Sequence, residues 1–223
     1  MDNIIISKSE LELKRNLKEA KRYIDDVLIK VQSLNDDKKQ YRVSKGLYKK
    51  FREEYIPLFN YLVFKYGYDN DVVFKYVGIG NQEYDAIIEI NGRPIKVEIT
   101  YLILGADANK RNKEVNTTGY SLRINKPQEV ISKIREQILE TAIKKSSKFY
   151  GDTLLILYFP CEDMYPGDYL LRTEILENII EDLKKINYKA KRVEFFIHGK
   201  LVCNYLGENE LLPQNYIIKN DST

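Results

Sequence analysis

Two carboxylates, Asp85 and Glu98, stand on either side of Asn91-Gly92 in the stretch "YDAIIEINGRPIKVEIT" (84–100). Brought together, two such groups suit a hard divalent cation, which takes oxygen ligands and, in the case of Mg²⁺, keeps several of its waters. The spacing says how they meet. Asn-Gly between two apolar runs predicts a two-residue hairpin loop of type I′, because both central residues must take positive φ. Ile90 then faces Arg93, Glu89 faces Pro94, Ile87 faces Lys96, Asp85 faces Glu98 and Glu83 faces Thr100. Hydrogen-bonded and non-hydrogen-bonded pairs alternate away from the turn, so Pro94 falls where no amide donor is needed.

In this register Ala86, Ile88, Ile90, Ile95, Val97 and Ile99 share one face and form core, while Asp85, Lys96, Glu98 and Thr100 share the other. Asp85 and Glu98 make a non-hydrogen-bonded pair, the closer kind, with Cβ atoms about 5 Å apart. Like charges directly opposite one another destabilise a sheet, and a bound cation removes that cost. The plainer reading is a solvated outer face on which Lys96, diagonal to Asp85, neutralises the pair.

The rest of the inventory narrows the chemistry. His198 is the single histidine of the 223 residues, which excludes metalloprotease HExxH helices, HNH nucleases and any site needing two imidazoles. There is no GxSxG elbow and no GxxxxGK[ST] loop; "GIGNQE" (78–83) lacks the third glycine of a dinucleotide fingerprint and reads as a turn. Carboxylates, lysines and hydroxyls remain, the set for phosphoryl transfer with a hard cation. Cys161 and Cys203, far apart and outside any CxxC, read as small apolar residues rather than a disulfide or zinc pair.

Charged residues at 31% and apolar residues at 43% describe a globular chain of a length that suits one domain. No apolar run is long enough for a membrane span, and no signal peptide is read at the N-terminus, so a cytoplasmic location is expected. The net charge of +3 is small, but its distribution is uneven. The segment 41–52 carries Lys45, Lys49 and Lys50 with two arginines and no acid. The segment 108–126 carries Lys110, Arg111, Lys113 and Arg123 against Glu114. Each is a place for nucleic-acid phosphates, or simply solvated charge.

These residues need elements to position them. Ser7-x-x-Glu10 opens a helix expected over about 8–35, whose Leu13, Leu17, Ala20, Ile24, Val27, Val31 and Leu34 repeat at 4-3 spacing. That stripe either packs on the next helix or dimerises. A second helix is expected over about 44–66, kinked or split at Pro57 and ended at Gly67. Strands follow at 71–80, 84–90 and 94–102, then a polar stretch over 104–126. Pro127 opens a helix to about 149, with Val130, Ile131, Ile134, Ile138, Ala142 and Ile143 as its stripe. "TLLILYFP" (153–160) is expected as a central strand, 168–186 as a helix, "RVEFFIH" (192–198) as a strand continued by "KLVCNYL" in a hairpin, and the tail from 207 as polar and irregular. The sum is an α/β chain, a mixed sheet with helices on both sides.

An acid on one strand, a hairpin turn and "VEIT" on the next resemble the PD-(D/E)xK nuclease superfamily, the restriction-endonuclease-like fold. The order α-β-β-β-α-β-α-β over about 41–206 is similar to that core, leaving 1–40 as an N-terminal helical extension and 207–223 as a tail. The resemblance implies that Asp85 and Glu98 hold Mg²⁺ or Mn²⁺, with the Ile99 carbonyl as a further ligand. It also implies a lysine two residues after Glu98, where this chain has Thr100. Lys96 on the same face, or Lys133 in the following helix, is the replacement to consider. Glu53 or Glu54 would supply the family's helix glutamate, and Gln128 its helix glutamine. The function implied is a metal-dependent nuclease, with DNA favoured over RNA, in restriction or phage defence. The alternative is a nuclease-like domain without activity that binds nucleic acid or a protein partner, with the N-terminal helix serving a homodimer.

Overall fold

The computed structural model describes residues 6–33, 46–68, 71–80, 83–102, 127–160, 173–198, 201–202, 210–211 and 214–220. Cys161, Cys203 and the polar stretch 104–126 lie outside them. The chain is mixed α/β, and it divides into two compact units, Met1–Ile99 and Thr100–Thr223.

The first unit opens with α1 (Lys8–Leu11), whose cap is the expected box: Ser7 Oγ accepts from the Glu10 amide and Glu10 accepts from the Ser7 amide. The single long helix expected here does not form. The chain leaves α1 at Glu12, pairs Arg15–Asn16 as β1, and restarts as α2 (Leu17–Gln32). Asn16 and Glu19 build a second capping box, which satisfies amides that a continuous helix would have bonded internally. Leu17, Ala20, Ile24, Val27 and Val31 are all buried within this unit, where α2 packs on the helix Ile56–Tyr66 and the strand Val72–Tyr76, while Leu13 is exposed in the break. The stripe from Leu17 to Val31 is therefore core of its own chain, and Leu34 lies outside the described residues.

The helix expected at 44–66 is split in three: α3 (Gly46–Lys50), a π-helical turn (Phe51–Tyr55) and α4 (Ile56–Tyr66). Pro57 explains the middle piece. Its ring lacks an N–H and crowds the carbonyl four residues back, so the preceding turn widens and the Ile56 amide reaches the Phe51 carbonyl. Gly67, at φ 64°, ends α4 as expected.

Strands β2 (Val72–Tyr76), β3 (Ala86–Ile90) and β4 (Arg93–Tyr101) run antiparallel beside β1, which forms the edge. The predicted register holds: Ile90 pairs with Arg93, Glu89 with Pro94 and Ile87 with Lys96, across a turn with Asn91 at φ 52° and Gly92 at φ 75°. Phe74, Tyr76, Ala86, Ile88, Val97 and Ile99 are buried, whereas Ile90 and Ile95 at the turn end are only partly so.

The second unit starts at the end of β4. The Leu102 amide donates to the Tyr158 carbonyl of β5 (Gly151–Pro160), buried on both faces from Thr153 onward as the apolar run predicts. β5 runs parallel to β6 (Ala190–His198), and the crossover carries α6 (Thr173–Lys184). Here Ile134, Ile138 and Ala142 of α5 (Pro127–Ser146) and Leu176, Ile179, Ile180 and Leu183 of α6 join Leu155, Leu157, Phe159, Val193, Phe195 and Ile197 in one core. Ile143, placed in the stripe from sequence, is exposed.

The C-terminal expectations change. β7 (Leu201–Val202) pairs with β8 (Glu210–Leu211), not with β6. The antiparallel partner of β6 among the described residues is β9 (Gln214–Asn220), inside what reads as an irregular tail. Tyr216 and Ile218 pack on the core, and Asn215 donates at 2.6 Å to Glu194, a fully buried carboxylate that also takes Arg192 Nη2 at 2.6 Å. A buried charge needs such partners, and the polar residues of β9 help supply them. Among the described residues no helix is long and apolar enough to cross a membrane.

Candidate functional site

The hairpin register brings Asp85 beside Glu98, but not as a plain cross-strand pair. The last regular pair is Ala86 with Val97. Beyond it the Asp85 amide donates to the Val97 carbonyl at 2.8 Å, and Asp85 Oδ2 accepts from the Ile99 amide at 2.8 Å. A continued ladder would have satisfied that amide with the Tyr84 carbonyl. The carboxylate replaces it, so Asp85 grips the backbone on both sides of Glu98. Its own carbonyl takes the Val77 amide at 2.7 Å, which ties the same residue to the end of β2.

Burial along β4 separates two halves. Arg93, Pro94 and Lys96 are exposed, as a solvated face requires, but Glu98 is only 5% exposed and Val97 and Ile99 are buried with it. The plain reading of the hairpin thus fits its tip and fails at Glu98. Lys96 rests with Nζ 5.0 Å from the centre of the Tyr84 ring, a cation–π contact at the exposed end. Thr100, two residues further along β4, is 4% exposed, and its Oγ1 has no hydrogen-bond partner among the described residues.

Glu54 approaches through the π-helical turn. The Tyr76 hydroxyl donates to Glu54 Oε2, and Lys50 Nζ lies 3.7 Å from that oxygen while donating to the Gly78 carbonyl. Burial, then the charge and hydrogen bond of Glu54, then the charge of Asp85 hold the Tyr76 phenol well above its ordinary range. The Tyr76 hydroxyl therefore lies within electrostatic reach of both Glu54 and Asp85. Gly78 makes room for this contact, since a Cβ there would press on the Tyr76 hydroxyl and sit 3.0 Å from Glu54 Oε2. Sequence reasoning missed Tyr76 and Gly78. Their signal was a tyrosine in a buried strand position followed two residues later by glycine, legible only once Glu54 is placed.

The remaining residues divide plainly. Glu53 pairs with Lys49 at 3.7 Å, and burial raises its pKa. Lys49 and Lys50 are engaged with the acids of their own helix. Lys133 is exposed on α5, and Gln128 lies in the first turn of the same helix. Lys45, Lys110, Arg111, Lys113 and Arg123 lie outside the described residues.

Among the described residues no three His, Cys, Asp or Glu side chains converge on one point as a metal cage would. Asp85 is fixed by hydrogen bonds against the strand that carries Glu98, and the candidate donors there are all oxygen. Two carboxylates completed by water fit Mg²⁺, which dehydrates reluctantly and rarely takes an all-protein cage. They do not fit zinc, which favours nitrogen and sulfur. The chain has no significant match to any family model, curated protein or solved structure.

Proposed function

We propose that this protein is a Mg²⁺-dependent nuclease whose metal is held by Asp85 and Glu98. The observation that carries the reading is the Asp85 carboxylate bonded to the Ile99 amide, beside a glutamate 95% buried in a strand. When bound, the metal would lower the pKa of an attacking water and offset charge on the phosphate. Asp85 and Glu98 hold that cation, and the Ile99 carbonyl is the further ligand. Glu54, oriented by Tyr76 and Lys50, stays outside that pair and acts only through the Tyr76 hydroxyl. Lys96 takes the part of the lysine that Thr100 replaces, and the basic residues of 41–52 contact the nucleic acid. DNA is the favoured substrate, with restriction or phage defence as the setting; the fold by itself does not specify these.

Thr100 favours a second reading, a nuclease-like domain that binds nucleic acid or a partner without cutting. Its hydroxyl is buried and cannot carry the charge a lysine would bring. One experiment separates the two. The protein and Glu98→Gln are incubated with plasmid, linear DNA and RNA in Mg²⁺, Mn²⁺ or EDTA. Cleavage that needs metal and disappears in the variant supports the nuclease; salt-sensitive binding with no cleavage in any arm supports the second reading.

A further inference from the structure

A second cluster in the first unit has the opposite electrostatic character. Arg15, on edge strand β1, is 9% exposed, with its guanidinium carbon 4.0 Å from the centre of the Tyr23 ring. Its Nη1 donates to the Leu13 carbonyl at 3.2 Å, and among the described residues no carboxylate forms an ion pair with it. Tyr55 is fully buried beside it, its ring edge-on to Tyr23 at 5.6 Å between centres. The Tyr23 hydroxyl has no hydrogen-bond partner among the described residues, and the Tyr55 hydroxyl meets only Arg15, itself a donor.

The cluster is rich in donors and short of acceptors. A guanidinium carries five N–H groups, of which the Leu13 carbonyl uses one and the Tyr55 hydroxyl takes another, and each phenol adds an O–H. Burial outweighs the pull of Arg15 and raises both phenols, Tyr23 to about 12, so both stay protonated and able to donate. The acid that feels the Arg15 charge, Glu10, already accepts from the Ser7 amide at 3.1 Å and the Ser7 hydroxyl at 2.8 Å. A buried cation with unused donors calls for an anion that brings several acceptor oxygens.

We propose that Arg15, Tyr23 and Tyr55 bind a small oxyanion of the phosphate class. A tetrahedral phosphate supplies the missing charge and accepts from the guanidinium fork and both phenols at once. Free phosphate and the terminal phosphate of a nucleic-acid strand share this chemistry. The assignment does not depend on the Asp85–Glu98 metal site.

Thermal unfolding of the full chain is followed against sodium phosphate, with sodium chloride at equal ionic strength as reference, alongside calorimetric titration with phosphate. The expected result is a saturable rise in Tm with phosphate alone, lost in Arg15→Met and in the Tyr23→Phe/Tyr55→Phe double variant. The double variant guards against misfolding. It removes two buried hydroxyls and keeps the rings, so without phosphate it should be at least as stable as the parent. In EDTA, 5′-phosphorylated and 5′-hydroxyl oligonucleotides distinguish the sources. A tenfold or greater preference for the phosphorylated end identifies a strand terminus, and a phosphate response without that preference identifies the free ion. No saturable phosphate effect, or an equal effect in the double variant, overturns the proposal.

Discussion

Replacing Asp85 separates its structural work from its proposed chemical work. Its Oδ2 is the acceptor for the Ile99 amide at 2.8 Å, and Ile99 is 4% exposed, so water cannot easily take over. Asp85→Ala leaves a buried N–H unsatisfied, at a cost of about 1–3 kcal/mol. For a chain of this size that lowers Tm by about 2–4 °C per kcal/mol. Asp85→Asn keeps a carbonyl oxygen in place and loses only the charge assistance, so its cost stays below about 1 kcal/mol. The two variants should therefore differ in urea unfolding and, more directly, in hydrogen exchange at the Ile99 amide. That amide is slow in the parent, slightly faster in Asp85→Asn and much faster in Asp85→Ala. Both variants should lose Mg²⁺-dependent cleavage, because an amide is a poor ligand for a hard cation. Unchanged Ile99 exchange in Asp85→Ala would refute the hydrogen-bond reasoning. A fully active Asp85→Asn would refute the metal site while leaving the structural role intact.

Three further outcomes are expected. Gly92→Ala places a Cβ at φ 75° in the hairpin turn and should cost about 1–2 kcal/mol in urea unfolding, with Asn91→Gly neutral or nearly so. Gly78→Ala should press apart the Tyr76–Glu54 contact, destabilising by about 1–3 kcal/mol, and should shift the Tyr76 ultraviolet titration toward lower pH. Glu53→Gln should stabilise the fold at neutral pH. Burial raises the Glu53 pKa above its ordinary 4.5, so the folded state binds the extra proton and stability falls as pH rises through that window. The advantage of Gln over Glu should therefore vanish below pH 4.5, as read by denaturant midpoints across the range.

The local signals in the sequence were strongest where backbone chemistry leaves few choices. Asn91-Gly92 dictates a turn, the turn dictates the register, and Pro94 accepts it, so the position of Asp85 against the strand of Glu98 was legible before any coordinates. The 4-3 stripe from Leu17 to Val31 was equally legible as a buried helix face. Its partner was not, because the same spacing serves a neighbouring helix and a second chain alike. What packs on it, α4 and β2, is decided by residues some 30 to 60 positions away. The break between α1 and α2 was hidden for a related reason. Lys14, Arg15 and Asn16 have no strong bias against a helix, and Asn16 became a cap only because β1 pairs with β2.

β9 and the Tyr76–Glu54 contact show the limit more sharply. "QNYIIKN" has too few apolar residues to announce a strand, yet Tyr216 and Ile218 meet an existing core and Asn215 answers a buried charge on β6. The strand forms because β6 already presents the edge and a buried acid with a free place for a second donor beside Arg192. Glu54 depends on context in the same way. From sequence it was one of two adjacent acids, and nothing local ranked it above Glu53. The π-helical turn before Pro57 ranks them: Glu54 meets Tyr76 while Glu53 turns to Lys49. A proline placed to interrupt a helix therefore also decides which acid meets Tyr76. Pro57→Ala should test that link. If the turn relaxes to regular α-helix, the positions of Glu53 and Glu54 rotate about the axis, and the Tyr76 phenol should titrate nearer its ordinary value of 10. An unchanged Tyr76 titration in that variant would mean that the strand, not the helix, sets the contact.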